Sequence, residues 1–144
     1  MRYTIYMGKE DLVPLKEEVD YLKNYIELHK IRYQKKVAIQ FQYFNISDYK
    51  IAPLLYIIAL ENAFKHGVET ITENAYITIK MSTENEHILF DIENNFEKPA
   101  TKQNSGIGLD NLKQRLELLY PKKHQLTIEK SDAVYKLSLK IDTK

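Results

Sequence analysis

The sequence predicts one α+β domain, a two-layer sandwich in which a mixed, mostly antiparallel sheet of about five strands is covered by helices and preceded by one long N-terminal helix. Three observations carry this expectation. Apolar and polar residues alternate over several short stretches, the mark of half-buried strands, and between them apolar residues recur at helical spacing. The alternating stretches come in neighbouring pairs around polar turns, which favours antiparallel pairing. A length of 144 residues, with 44% hydrophobic and 28% charged side chains, suits one packed core and excludes wholesale disorder.

Leu15, Val19, Leu22, Ile26, His29 and Tyr33 step by four and three, the seam of a helix that packs against another helix, and predict a helix over 15–36. Pro14 suits its first turn, where a missing N–H costs nothing, and Glu17 and Glu18 lie at the positive end of its dipole. Val37, Ile39, Phe41 and Tyr43 then alternate with Ala38, Gln40 and Gln42 as a strand, whose far end Phe44 blurs. The apolar run 51–64 reads as a mostly buried helix that stops at Gly67, a C-cap residue.

Tyr76-Ile77-Thr78-Ile79 and Ile88-Leu89-Phe90-Asp91-Ile92 flank the polar stretch 82–86 and predict an antiparallel hairpin. The stretch 95–105 is polar, contains Pro99 and lacks periodicity, so it reads as a loop; Leu109, Leu112, Leu116 and Leu119 then mark a helix ending before Pro121. Two more strands, 125–128 and 135–141, surround a turn at Ser131 and Asp132. There is no internal repeat or low-complexity tract.

Twenty-one Lys and Arg against twenty Asp and Glu leave a net charge of +1, so no global field draws the chain to nucleic acid or an anionic membrane, and no nucleic-acid partner is expected. The absence of cysteine removes disulfides, thiolate nucleophiles and cysteine-ligated zinc, and fits a cytoplasmic location. The longest apolar stretch, 51–60, falls short of the roughly 20 residues of a spanning helix. Residues 1–10 lack the apolar core of an export signal.

Two segments offer chemistry. Glu61-Asn62-Ala63-Phe64-Lys65-His66-Gly67 crowds an acid, an amide, a base and an imidazole at a helix end, with Asn62 and Lys65 on one face. An amide oxygen is a hard ligand suited to magnesium, and a lysine suits phosphate oxygens; the plain alternative is a solvated terminus whose Lys65 and His66 complement the dipole. Ser105-Gly106-Ile107-Gly108-Leu109 opens a helix with two glycines that let backbone approach a phosphate, although a lone Gly-x-Gly also serves as a simple helix entry.

In this order, with a hairpin between them, the two segments resemble the nucleotide site of the GHKL superfamily, which joins histidine kinases with gyrase and MutL ATPases. With Val13-Pro14-Leu15-Lys16-Glu17-Glu18-Val19, Tyr21 to Ile26, Lys30-Ile31-Arg32-Tyr33, Pro53-Leu54-Leu55 and the run from Gly106 to Pro121, nearly the whole chain resembles LytS-like sensor histidine kinases that partner LytTR response regulators. The resemblance implies the sandwich of the GHKL, or Bergerat, type over 37–144 as the catalytic ATP-binding domain, with 1–36 supplying the second helix of the dimerisation region. It implies that Asn62 holds Mg2+ against the ATP phosphates, that Lys65 and His66 lie beside them, and that Glu61 orients the metal ligand or its water. Gly106, Ile107 and Gly108 match the ATP lid, with Leu109 and Asn111 following in pattern.

Two departures matter. Asn94 stands where most such kinases place the aspartate that accepts the adenine amino hydrogen, and Asn95, Phe96 and Glu97 replace the glycines expected next. Ile58, one turn before Asn62, replaces the water-activating glutamate of the ATPase members and cannot accept a proton, so hydrolysis is expected to be poor.

None of His29, His66, His87 and His124 sits in an Asn-Pro-His-Phe context, so the chain is expected to be a fragment. Its γ-phosphoryl group would go to a histidine on another helix of the same full-length homodimer, and thence to a LytTR-type response regulator; any membrane attachment would lie upstream. His29 reads as a polar seam residue, and His87 and His124 as surface residues. Arg115 reads as a phosphate contact or a partner of Glu117 or Glu61, and the tyrosines as packing. The alternative function is a pseudokinase-like module, degenerate at the adenine site, that dimerises or docks a regulator; an anti-sigma serine kinase is more distant.

Overall fold

The computed structural model describes residues 12–32, 36–97 and 107–143. In chain order the elements are β1 (Val13–Pro14), α1 (Leu15–Arg32), β2 (Val37–Phe44), β3 (Lys50–Ile51), α2 (Tyr56–His66), a short 3-10 turn (Val68–Thr70), β4 (Ala75–Glu84), β5 (His87–Asn95), α3 (Ile107–Leu119), β6 (His124–Lys130) and β7 (Val134–Asp142). Five strands form one sheet in the order β2-β4-β5-β7-β6, with β2 parallel to β4 and every other pair antiparallel. This is the mixed, mostly antiparallel sandwich that the alternating stretches predict.

The pleat sorts the sheet into two faces. Ile77, Ile79 and Met81 of β4, Ile88, Phe90 and Ile92 of β5, and Leu137, Leu139 and Ile141 of β7 are buried, whereas Thr78, Lys80, Lys136 and Lys140 between them are exposed. The buried face shares one core with Leu15, Val19, Leu22 and Ile26 of α1, Leu60 and Phe64 of α2, and Leu112 and Leu116 of α3. The seam that reads as built for another helix is therefore filled within this chain, where Tyr25 and His29 pack against Phe64 of α2.

Several boundaries differ from the sequence expectation. α1 ends at Arg32; Lys36 is not helical, and Tyr33 lies outside the described residues. Pro14 stands just ahead of the helix, opposite Lys50 in a two-stranded antiparallel pair, and the Leu15 N–H donates to the Tyr49 carbonyl at 2.8 Å. The helix expected from residue 51 starts only at Tyr56. Pro53 disfavours helical backbone at Ala52, and Leu54 takes a φ of 65°, so 52–54 form an elbow that ends at Leu55, the residue capping α2. The hairpin turn shrinks to Asn85 and Glu86, with φ of 49° and 67°, because two positive φ values match the twist of the flanking strands.

Candidate nucleotide site

Helix α2 is amphipathic in a way that sets its polar end beside the sheet. Tyr56, Ile57, Ala59, Leu60, Ala63 and Phe64 are buried, leaving Glu61 and Lys65 exposed and Ile58, Asn62 and His66 half-buried on the other face. Asn62, Lys65 and His66 thus share one surface, as their spacing predicts. The helix stops at Gly67, whose N–H donates to the Ala63 carbonyl.

That glycine is demanded by a close approach. A Cβ at residue 67 would lie 2.3 Å from Nδ2 of Asn94 and 2.5 Å from the Ala63 carbonyl oxygen, distances no side chain tolerates. Asn94, only 3% exposed at the end of β5, is therefore seated directly against the end of α2. Its Nδ2 donates to the Asn95 carbonyl at 3.0 Å, which leaves Oδ1 as the acceptor end of the amide.

The residues that stand in place of glycines after Asn94 close the strand end. Asn95 Oδ1 accepts from the Tyr76 N–H at 2.9 Å, and its Nδ2 donates to the Asn74 carbonyl at 2.8 Å. The Phe96 N–H donates to the Ala133 carbonyl at 3.0 Å, and the Lys130 ammonium lies 5.4 Å from the Phe96 ring centroid. The Glu97 N–H donates to the Thr70 hydroxyl at 3.1 Å, which in turn donates to the Gly67 carbonyl at 2.7 Å. The segment is tied to the turn that follows α2.

Local charge tunes two groups on α2. Burial, then the positive charges of Lys65 and Lys130, hold the His66 imidazole below its ordinary value of 6.5, against a smaller pull from Glu69. His66 is accordingly neutral near pH 7, with a ring nitrogen able to accept a hydrogen bond. Partial desolvation raises the Glu61 carboxyl, opposed by nearby His29.

A cavity of about 410 Å³ opens beside the packed helices α2 and α3 and is lined by Leu54, Ile58, Glu61, Asn111, Gln114 and Arg115. The structure thus brings Glu61 and Asn111 to one opening. Ile107 and Gly108 begin α3 and Leu109 is buried beneath it, whereas Gly106 lies outside the described residues. Arg115 donates from Nη2 to the Pro53 carbonyl at 3.0 Å. Glu117 instead meets His124, at 3.5 Å. The sequence reads Glu18 only as a partner of the helix dipole, yet it is 2% exposed and accepts the Leu54 N–H at 3.0 Å; a glutamate beside a seam residue in a first turn carries no signal that it is buried.

This layered arrangement is that of histidine-kinase catalytic domains. The catalytic domain of histidine kinase ThkA superposes with a TM-score of 0.67 at 16% identity, covering 92% of this chain and 96% of that one. The GHKL domain model matches residues 44–142, more than half of the chain, and a Histidine kinase model matches residues 1–37. The chain belongs to the GHKL domain family. It is 28% identical to sensor protein LytS of Oceanobacillus iheyensis over 92% of this chain and 25% of that protein. To sensor histidine kinase BtsS of Escherichia coli K12 it is 25% identical over 74% of this chain and 19% of that protein. The chain thus spans about a quarter or less of these relatives. Among the described residues no helix is long and apolar enough to cross a membrane.

Proposed function

We propose that this chain is the ATP-binding catalytic part of a LytS-like sensor histidine kinase. The observation that carries the reading is the seating of Asn94 against Gly67, which joins a candidate base-recognition residue to the polar face of α2. Asn94 Oδ1 accepts the adenine amino hydrogen, and its burial makes that contact selective. Asn62 offers an amide oxygen, a hard donor that fits Mg2+, and Lys65 supplies the positive charge for phosphate oxygens. Mg2+, when bound, neutralises charge on the phosphates.

Neutral His66 stands beside the nucleotide, and Glu61 orients Asn62 or its water. The segment Gly106-Ile107-Gly108, followed by Leu109 and Asn111, presents backbone N–H groups to the phosphates. Ile58, one turn before Asn62, cannot accept a proton from water, so the γ-phosphoryl group is held for transfer and not spent on water. Catalysis is then mainly positioning and charge neutralisation. The bond that breaks joins the β,γ-bridging oxygen to the γ-phosphorus, and the bond that forms joins that phosphorus to a histidine imidazole nitrogen outside this chain.

In this reading residues 1–36 contribute the second dimerisation helix and 37–144 the catalytic domain. Because the α1 seam is occupied, a second copy would meet α1 on its opposite face, where Leu28 and Ile31 are 68% and 82% exposed. The onward acceptor is an aspartate of a LytTR-type response regulator; ThkA, which shares the fold, has been crystallised with the response regulator TrrA. The full-length protein would lie in the bacterial plasma membrane with this part in the cytoplasm.

Calorimetric titration of the chain with a non-hydrolysable ATP analogue tests the reading. Saturable, magnesium-dependent binding that Asn62→Ala abolishes without lowering the melting temperature is the expected result. Unchanged affinity in Asn62→Ala would remove the metal assignment. The uncharged Asn94 and the tied segment after it favour a second reading, a pseudokinase-like dimerisation or regulator-docking module. Absence of binding at millimolar analogue would select it.

A further inference from the structure

Three side chains from distant parts of the chain converge on the main chain of one short bend, the elbow 52–54 that leads from β3 into α2. The Tyr120 hydroxyl, just beyond α3, accepts from the Ala52 N–H at 3.0 Å. Arg115 of α3 donates to the Pro53 carbonyl at 3.0 Å. Glu18 of α1 accepts from the Leu54 N–H at 3.0 Å. The first two residues of the bend are thus held from α3 and its end, and the third from the N-terminal helix.

The bend needs holding. Leu54 sits at a φ of 65°, a region disfavoured for a residue with a Cβ and kept only where surroundings over-determine it. The bonds also involve charge: burial lowers the Arg115 guanidinium pKa, and the negative charge of Glu18, which is 2% exposed, opposes that shift.

The bend borders the candidate site. Leu54, Ile58, Glu61, Asn111 and Arg115 line the same cavity, and Arg115 lies one turn beyond Asn111 on α3. Just upstream of the bend, Val13 and Pro14 pair with Ile51 and Lys50, so α1 is tied to the chain at both its entry and Glu18.

We propose that Glu18 and Arg115 are positioning residues that, through the elbow 52–54, set α2 and its Asn62 face against α3 and carry a displacement of α1 into the nucleotide site. The proposal rests on reading the Asn62 face as that site. A latch of this kind makes the upstream helix a control element, because moving α1 releases the Leu54 N–H in the bend just ahead of the helix that bears Asn62.

The test uses the full chain, with each variant held well below its own melting temperature. Two readouts run in parallel: titration with magnesium and a non-hydrolysable ATP analogue, and amide hydrogen exchange by mass spectrometry. Glu18→Ala is expected to weaken analogue binding about ten-fold, whereas Glu18→Gln, which keeps an oxygen for the Leu54 N–H, stays within about two-fold of the parent. Exchange in Glu18→Ala is expected to quicken in both α2 and α3, far from the substitution.

Parent-like binding in Glu18→Ala, or faster exchange confined to 12–32, would overturn the latch and leave Glu18 a local structural residue. Should the parent bind no analogue, the nucleotide reading fails and the exchange pattern alone decides the latch by the same criterion. Should Glu18→Ala fail to fold, Arg115→Lys gives the same two readouts, since it keeps the charge but loses the guanidinium reach to the Pro53 carbonyl.

Discussion

Gly67 and Asn94 define the site more sharply than any motif does, because one residue's missing side chain is the other's seat. A Gly67→Ala methyl would lie 2.3 Å from Asn94 Nδ2, so either the asparagine or the end of α2 must move. We expect a loss of about 1–3 kcal/mol in urea unfolding, together with weaker analogue binding. Unchanged stability would mean that the two segments are less closely packed. His66 makes a second prediction. Burial and two lysines lower its pKa from 6.5, so the unfolded chain binds more protons than the folded one as pH falls below that value. Stability should be full above pH 6.5 and decline as pH drops toward the folded pKa. Replacing His66 with Gln should flatten that slope between pH 5 and 7, measured by urea midpoints; an unaltered slope would point to other groups. The common face of Asn62, Lys65 and His66 was legible in the sequence, because helical spacing is a local rule. The Gly67–Asn94 contact was not, because it joins residues from different elements.

The five strands of the main sheet and the three helices were read correctly in kind and order, whereas the short β1–β3 pair was not read, and the errors fall where backbone conformation departs from periodicity. The β4–β5 turn is one case. The polar stretch 82–86 reads as a broad turn, yet Ser82, Thr83 and Glu84 continue β4 because alternating Met81 and Thr83 still point into the core. Only Asn85 and Glu86 turn, both at positive φ. Glu86→Gly should therefore raise stability by about 0.5–1 kcal/mol, since glycine takes that conformation freely and Asn-Gly is the favoured pair for such a turn. Glu86 uses its backbone, its carbonyl accepting from the Thr143 N–H at 2.9 Å, so nothing in that contact opposes the change. A lowered thermal midpoint in Glu86→Gly would show that the side chain matters. The late start of α2 has the same origin: the apolar run is continuous from Ile51, but Pro53 and the left-handed Leu54 prevent a helix from using it.

The assembly of the layers gives the broadest expectation. Leu15, Val19, Leu22 and Ile26 are 0–6% exposed inside the same core as α2 and the sheet. Each such side chain contributes about 1.5–3 kcal/mol on burial, and a domain's whole margin is about 5–15 kcal/mol. A chain cut to 37–144 should therefore lose cooperative unfolding and its dispersed amide spectrum. A truncated chain that melts cooperatively near the parent midpoint would contradict the shared core.

Periodicity, turn residues and two short motifs were enough to establish an α+β sandwich, the order of its elements and the helix face that bears Asn62. Those properties follow from side chains three, four or two positions apart, which every chain of this pattern shares. Which partner fills the α1 seam, why Gly67 has no side chain, and how Glu18 and Arg115 hold the bend before α2 were settled by packing. They depend on groups brought together from far along the chain, where desolvation and steric fit act and local spacing carries no information.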